Sequence, residues 1–314
     1  MITIGFSSHR AETIPFARQM MEQHQIIVLE EPPHPRFIDM LNGNLLIADY
    51  LMEMDIEFPE FESLMCKEAR RLHQKGKELL QVEPYIERLL EIHEYFAEGM
   101  TPVDVLNRAH LKNVYLAEKA ATGALINFYA RSVEKDFKQV IESVKAFAIA
   151  DARRSNLRSM LRAKAIASLD TDKRIYVEAG YIHYFLYRCL MYGVKGKKNV
   201  RAVYLMQPVF KKLRCKRRNM GPGDILTLNY ALDLPIKEDQ ADLLAARSLI
   251  YTKLIHTDEM LPDRSNTTPH SLDEALVNGL VDRLGFEDCK AIYSEIRFKN
   301  RHESMDIVTS YVST

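Results

Sequence analysis

The chain alternates short, unbroken apolar runs with longer stretches whose apolar residues recur every three or four positions. ITIGF (2–6) and IIVLE (26–30) are apolar runs of strand length, and AETIPFARQMMEQHQ (11–25) between them has helical spacing. Pro32, Pro33 and Pro35 stop the second run, because proline has no N–H to give to a ladder. Helical patterns follow over 37–53 and 59–76, parted by the acidic DIEFPEFE. KELLQVEP (77–84) reads as a third strand stopped by proline, and YIERLLEIHEYFAEG as a helix closed by glycine. Residues 102–169 hold almost no Pro or Gly and predict two or three long helices. RIYVEAG (174–180) and VRAVYLM (200–206) supply strands four and five, the latter preceded by the Lys/Gly turn VKGKKN. Beyond them the pattern is helical at 207–218, 237–255, 271–284 and 286–299, with a polar loop, HTDEMLPDRSNTTPH (256–270).

Strands apolar on both faces that alternate with helices predict an α/β fold, a central, mainly parallel sheet flanked by helices. On this reading 1–101 and 170–314 form the α/β core with a helical C-terminal portion. Residues 102–169 are an inserted helical hairpin or cap, and those long helices are the natural place for a homodimer contact.

Composition narrows the partners. With 43 basic and 43 acidic residues in 314, the formal net charge is zero, so no global field calls for nucleic acid or an anionic membrane. The basic cluster KKLRCKRR (211–218) lacks interleaved aromatics and is best read as a solvated helix face. GPGD (221–224) carries no Lys-Ser/Thr and reads as a turn. Four scattered cysteines with no CxxC pair argue for a reducing compartment and against a structural zinc. No apolar run approaches the ~20 residues of a membrane span, and the N-terminus lacks a signal-peptide pattern. The expectation is a cytoplasmic protein acting on a small molecule or peptide.

In an open α/β sheet, chemistry sits outside the carboxyl ends of the strands. Those positions hold His9, then Glu30 with Glu31, then Glu83, then Glu178 with His183. Any one of these is an ordinary solvated or packed residue; their convergence on one rim is what points to a site. Two imidazoles with two or three carboxylates are a divalent-metal ligand set. Such a metal lowers the pKa of its water from about 15.7 to about 7. Glu30 and Glu31 must point to opposite faces if the strand continues, and His34, between prolines, reads as a surface residue. Tyrosines 181, 184, 187 and 192 read mostly as packing. Ser7 and Ser8 lack a nucleophile elbow.

FSSH (6–9), IIVLEEPPHPR (26–36) and RRSNLRSMLRAKAIASLDTDKRIYVEAGYIH (153–183) together resemble the TraB/Tiki/EreA/ChaN superfamily of pheromone-shutdown, Wnt-inactivating, erythromycin-esterase-like and haem-uptake proteins. The likeness covers roughly the first 210 residues. Two positions depart from it: Phe6 stands where the family usually has glycine, and Glu178-Ala179 precede Gly180. The resemblance implies that His9, Glu30 and His183 are site residues, with Arg36 and Arg158 as supporting polar groups. The combined expectation is a metal-dependent hydrolase of an amide or ester bond. His9, Glu30 and His183 would hold Mn, Co or Zn, Glu83 would act as base or ligand, and Arg36 and Arg158 would orient carboxylates or an oxyanion. The alternative is a non-catalytic protein that binds a small ligand of the haem type.

Overall fold

The computed structural model describes residues 1–54, 56–169, 172–193, 199–215 and 220–313. Along the chain these are β1 (Ile2–Ser7), α1 (Ile14–Met21), β2 (Ile26–Leu29), α2 (Phe37–Asn42), α3 (Ile47–Leu51), α4 (Pro59–Gln74) and β3 (Glu78–Gln81). Then come α5 (Pro84–Ala97), α6 (Pro102–Leu106), α7 (Ala109–Ser132), α8 (Phe137–Ala167), β4 (Ile175–Gly180), α9 (Tyr184–Gly193), β5 (Val200–Tyr204) and α10 (Gln207–Lys212). The chain ends with α11 (Pro222–Ala231), α12 (Glu238–Leu254), α13 (Pro269–Val281), α14 (Phe286–Ile296) and α15 (Arg301–Ser313).

The five strands form one all-parallel sheet in the order β3-β2-β4-β1-β5. β1 and β2 are buried along their whole length, as unbroken apolar runs require. Side chains alternate strictly between the two faces. Ile27, Leu29, Leu79 and Tyr176 join one core with α1, α2 and α4. Ile2, Ile4, Phe6, Ile26, Val28, Ile175, Val177 and Ala179 join a second core with Ala163 and Ile166 of α8 and with Leu186 and Leu190 of α9. Gly5 leaves room for Tyr176 across the register, since a Cβ there would lie 2.2 Å from the tyrosine hydroxyl.

The strand order creates a switch point. β1 and β4 are neighbours, yet the chain leaves β1 towards β2, beyond β4, and leaves β4 towards β5, beyond β1. Connections departing in opposite directions open a crevice at the C-terminal ends of these two strands.

The chain divides into two compact units. One, the sheet unit, comprises 1–114, 156–208 and 259–269; the other comprises 115–155, 209–258 and 270–314. The division therefore falls inside α7 and α8 rather than at 101 and 169. An uninterrupted helical pattern carries no mark of where packing partners change. Among its described residues the second unit is built of helices around Ala245, Leu249, Val277 and Ile292. Within it Lys145 Nζ lies 2.8, 2.5 and 2.6 Å from Glu142, Glu238 and Asp242. An ammonium thus already sits among the acidic trio whose oxygens gather most closely among the described residues.

Several local expectations shift. The helical pattern over 37–53 splits into α2 and α3 because Gly43 takes φ 81° and ends α2. GPGD is a helix start rather than a free turn: Gly221 caps α11, Pro222 opens it, and Gly221 N–H donates to Asp224 at 3.1 Å. α15 adds a helix beyond 299. Residues 194–198 of the VKGKKN turn, and 216–218 of the basic cluster, lie outside the described residues. No helix among the described residues is long and apolar enough to cross a membrane.

Candidate active site

Glu30, one residue past β2, continues the alternation onto the α8 face and is 2 % exposed in its side chain. It is the hub of the rim. Gly180 N–H donates to Oε2 at 2.7 Å, and His9 Nε2 stands 3.7 Å from the same oxygen. Oε1 receives Arg158 Nη2 at 3.2 Å, with Arg162 Nη1 at 3.5 Å and His183 Nε2 at 3.2 Å. Gly180 itself is extended (φ −65°, ψ 153°), a conformation open to any residue, so its contribution is the N–H rather than a sharp turn. His183 closes a short 3₁₀ turn, Tyr181–His183, directly beyond β4 and is buried.

Glu83, at the N-cap of α5, is fully buried and accepts from Arg158 Nε at 3.0 Å. Arg162 stretches beneath Arg158, with Nε donating to Val82 O at 2.9 Å and lying 3.9 Å from Glu83. Two carboxylates and two guanidiniums therefore interlock on this face. His9, Glu30, Glu83 and His183 from the strand ends, and Arg158 from α8, lie together at this rim. Arg162 joins them from the same helix face as Arg158, four residues further on. Arg36 does not: it opens α2 after the proline-rich turn, with a side chain 45 % exposed and paired with Glu53.

The other face of the rim holds a second polar group. Glu31 follows Leu29 onto the α4 side, where Gln81 Nε2 donates to it at 2.7 Å and to the Tyr50 hydroxyl at 3.0 Å. Glu178 lies on the same face as Tyr176 and accepts Glu30 N–H at 3.3 Å. Glu62, in the first turn of α4, feels the charges of both carboxylates and of His9. The His9 ring stacks on Phe61 of that turn, with centroids 5.2 Å apart and planes 10° from parallel.

These environments drive the two histidines in opposite directions. Burial works against the proton on His9, but the charge of Glu30 3.7 Å away, with Glu178 and Glu62 behind it, outweighs that and pushes its pKa up to about 9. For His183 burial dominates, and Arg158, Arg162 and His9 add to it against Glu30, pushing it down to about 3. Glu30 is held well below the usual carboxylate range: burial opposes ionisation, but the guanidiniums of Arg162 and Arg158 overcome it. On the α4 face burial raises Glu31 to about 7 and Glu62 to about 8, and the neighbouring carboxylates reinforce this for both.

A pH dependence follows. Glu31 and Glu62 keep their protons longer in the folded chain than in the unfolded one. Stability should thus be full below about pH 4.5 for these groups and decline as pH rises through 7 and 8. His9, raised from 6.5 to about 9, acts in the same sense. Thermal unfolding should show Tm falling from pH 6 to pH 9, and less steeply in Glu62→Gln. At pH 9 that variant should exceed the parent by on the order of 1 kcal/mol, allowing for the part-exposure of Glu62.

The expected metal triad does not fit as it stands. The donor atoms of His9, Glu30 and His183 do not gather within 4.8 Å of one another. Both oxygens of Glu30 are engaged, and two guanidiniums occupy the space where a cation would meet Oε1. An imidazole kept protonated to about pH 9 is also a poor ligand at neutrality.

No protein-family model matches the chain, and no solved structure matches it. It is similar to an uncharacterized protein of Archaeoglobus fulgidus, 28 % identical over 290 residues that span 92 % of this chain and 97 % of that one.

Proposed function

We propose that this protein is a hydrolase of an amide or ester bond working at the C-terminal rim of β1, β2 and β4. The observation that carries the reading is one buried carboxylate, Glu30, set between two imidazoles whose surroundings force opposite charge states. Titratable pairs whose pKa values are pushed apart are the mark of an acid and a base sharing one site. His183, uncharged at neutrality, faces Glu30 with Nε2, so the carboxylate holds the imidazole proton there and the lone pair resides on Nδ1. In this role His183 takes a proton from the attacking water. The proton that collects on the ring is stabilised by Glu30 3.2 Å away. His9, cationic and a third exposed, gives a proton to the departing alcohol or amine. Arg158, a quarter exposed beside Glu30 and Glu83, faces the developing oxyanion.

The likeness to the TraB/EreA/ChaN-type proteins supports the same reading, because its separate motifs supply residues of this one rim. A metal-assisted version, with Mn, Co or Zn, would have to draw in carboxylates on the α4 face, whose donor atoms do not gather within 4.8 Å of one another as they stand. Among the described residues Glu31, Glu62 and Glu178 have no Lys or Arg ion pair, although they surround His9. Metal analysis of protein purified without a His tag separates the two versions. A haem-type role would want an apolar slot at His183, whereas Glu30, Arg158 and Arg162 stand there. Free cysteines, Cys66 and Cys289 among them buried, support a reducing, cytoplasmic setting.

The test is turnover of p-nitrophenyl esters and aminoacyl p-nitroanilides. His9→Ala and His183→Ala should each lower kcat by about 100-fold or more while the fold is retained. Turnover unchanged in both variants would remove the histidines from the chemistry.

A further inference from the structure

The polar loop after α12 does not belong with the helices on either side of it. Residues 259–269 pack into the sheet unit, although the chain before and after them belongs to the helical unit. The segment has its own fixed turn. Asp263 Oδ1 accepts the N–H groups of Ser265 and Asn266, both at 2.7 Å, and Asp263 N–H donates to Asn266 O at 2.9 Å. Its first residue, Glu259, reaches α4.

α4 needs such a partner. It begins with Phe58 at the N-cap and Pro59 after it, and no side chain of its own first turn caps it. The donors left over at the helix start are met by Glu259, whose Oε2 accepts Glu60 N–H at 2.9 Å and whose Oε1 accepts Phe61 N–H at 2.7 Å. A carboxylate is the natural partner for the positive end of a helix. Both rings beside this capped turn receive residues from the loop after β1. The Arg10 guanidinium lies 3.7 Å from the centroid of Phe58, and His9 stacks on Phe61.

We propose that Glu259 is a positioning residue for His9: by capping the first turn of α4 it fixes the Phe61 ring against which the imidazole stands opposite Glu30. The inference rests on His9 being a site residue, as proposed above, and adds the device that aims it. The link is made by residues almost 200 positions apart in sequence, so it also explains why an otherwise featureless polar loop is built into the sheet unit.

A plain helix cap and a positioning cap are separated by the magnetic environment of His9. A proton on a ring stacked parallel to Phe61, with centroids 5.2 Å apart, is displaced by the phenyl ring current. In full-length protein carrying ¹³C-labelled histidine, the His9 Cε1–H signal is assigned by its loss in His9→Gln. Phe61→Leu then defines the displacement caused by losing the ring. Glu259→Ala should move the signal in the same direction by a large part of that displacement, with the far-UV spectrum retained. Glu259→Gln, which keeps one amide oxygen to accept a single N–H, should move it less. A His9 signal unmoved in folded Glu259→Ala overturns the proposal. If the alanine variant does not fold, an unmoved signal in Glu259→Gln overturns it equally. The readout needs no substrate, so absence of hydrolysis leaves it intact, and its failure leaves the roles of His183 and Glu30 untouched.

Discussion

Replacing Glu30 with glutamine is expected to abolish turnover and to cost on the order of 3–5 kcal/mol of stability. The amide has the size of the carboxyl group, so the loss is one of charge and not of volume. Arg158 and Arg162, 3.2 and 3.5 Å from Glu30, would then share only Glu83 as counter-charge, and Arg162 is too buried for water to replace the missing one. Breaking a buried pair from one side leaves an uncompensated ion, and that penalty dominates. The chemical loss has the same origin. Without Glu30, His9 loses the partner that keeps it protonated, and its pKa should fall back towards 6.5. Urea titrations of the two proteins measure the stability term. A Glu30→Gln variant as stable as the parent would show that the guanidiniums are satisfied without the carboxylate.

Arg162→Met should be the second most damaging change, at about 3 kcal/mol, although the side chain lies beneath the site and not in it. Methionine fills much of the volume, so the penalty reports the lost charge and the hydrogen bond to Val82 O. Glu83 keeps Arg158 at 3.0 Å but loses half its positive surroundings. Its pKa, already raised by burial, rises further. A carboxyl that holds its proton more tightly when folded loses stability as pH increases, so the destabilisation should grow from pH 5 to pH 9. Adding Glu83→Gln should restore part of the loss, and the double-mutant cycle gives the coupling directly. Strict additivity would mean that the two residues do not act as a pair.

The contrast between Glu30 and Arg162 shows how far the sequence could be read. Continuous apolar runs such as ITIGF and IIVLE announce parallel strands, and strand ends are chemically legible because the alternation of side chains runs on past the last ladder bond. That rule placed Glu30 and Glu31 on opposite faces. Each lies in a polar group of its own, Glu30 with Gly180 N–H and the guanidiniums and Glu31 with Gln81. Arg162 was hidden by its setting. The stretch 102–169 reads as a cap of uniform helix, and no periodicity tells which arginine of RSMLRAK points inward. The four-residue spacing from Arg158 was the available clue. Glu62 and Glu259 were less visible still, because an acidic residue in a helix's first turn and another in a polar loop are both ordinary. Only the folded chain brings Glu259 onto the N–H groups of Glu60 and Phe61.

The account depends most on the two histidines beside Glu30 resting in different charge states, His9 cationic and His183 neutral. Long-range ¹H–¹⁵N spectra of histidine-labelled protein, recorded from pH 5 to pH 10, observe this without any substrate. His183 should remain uncharged with its proton on Nε2 down to pH 5, while His9 stays cationic through pH 8 and titrates near 9. Two rings titrating together near 6.5 in the folded protein would contradict it.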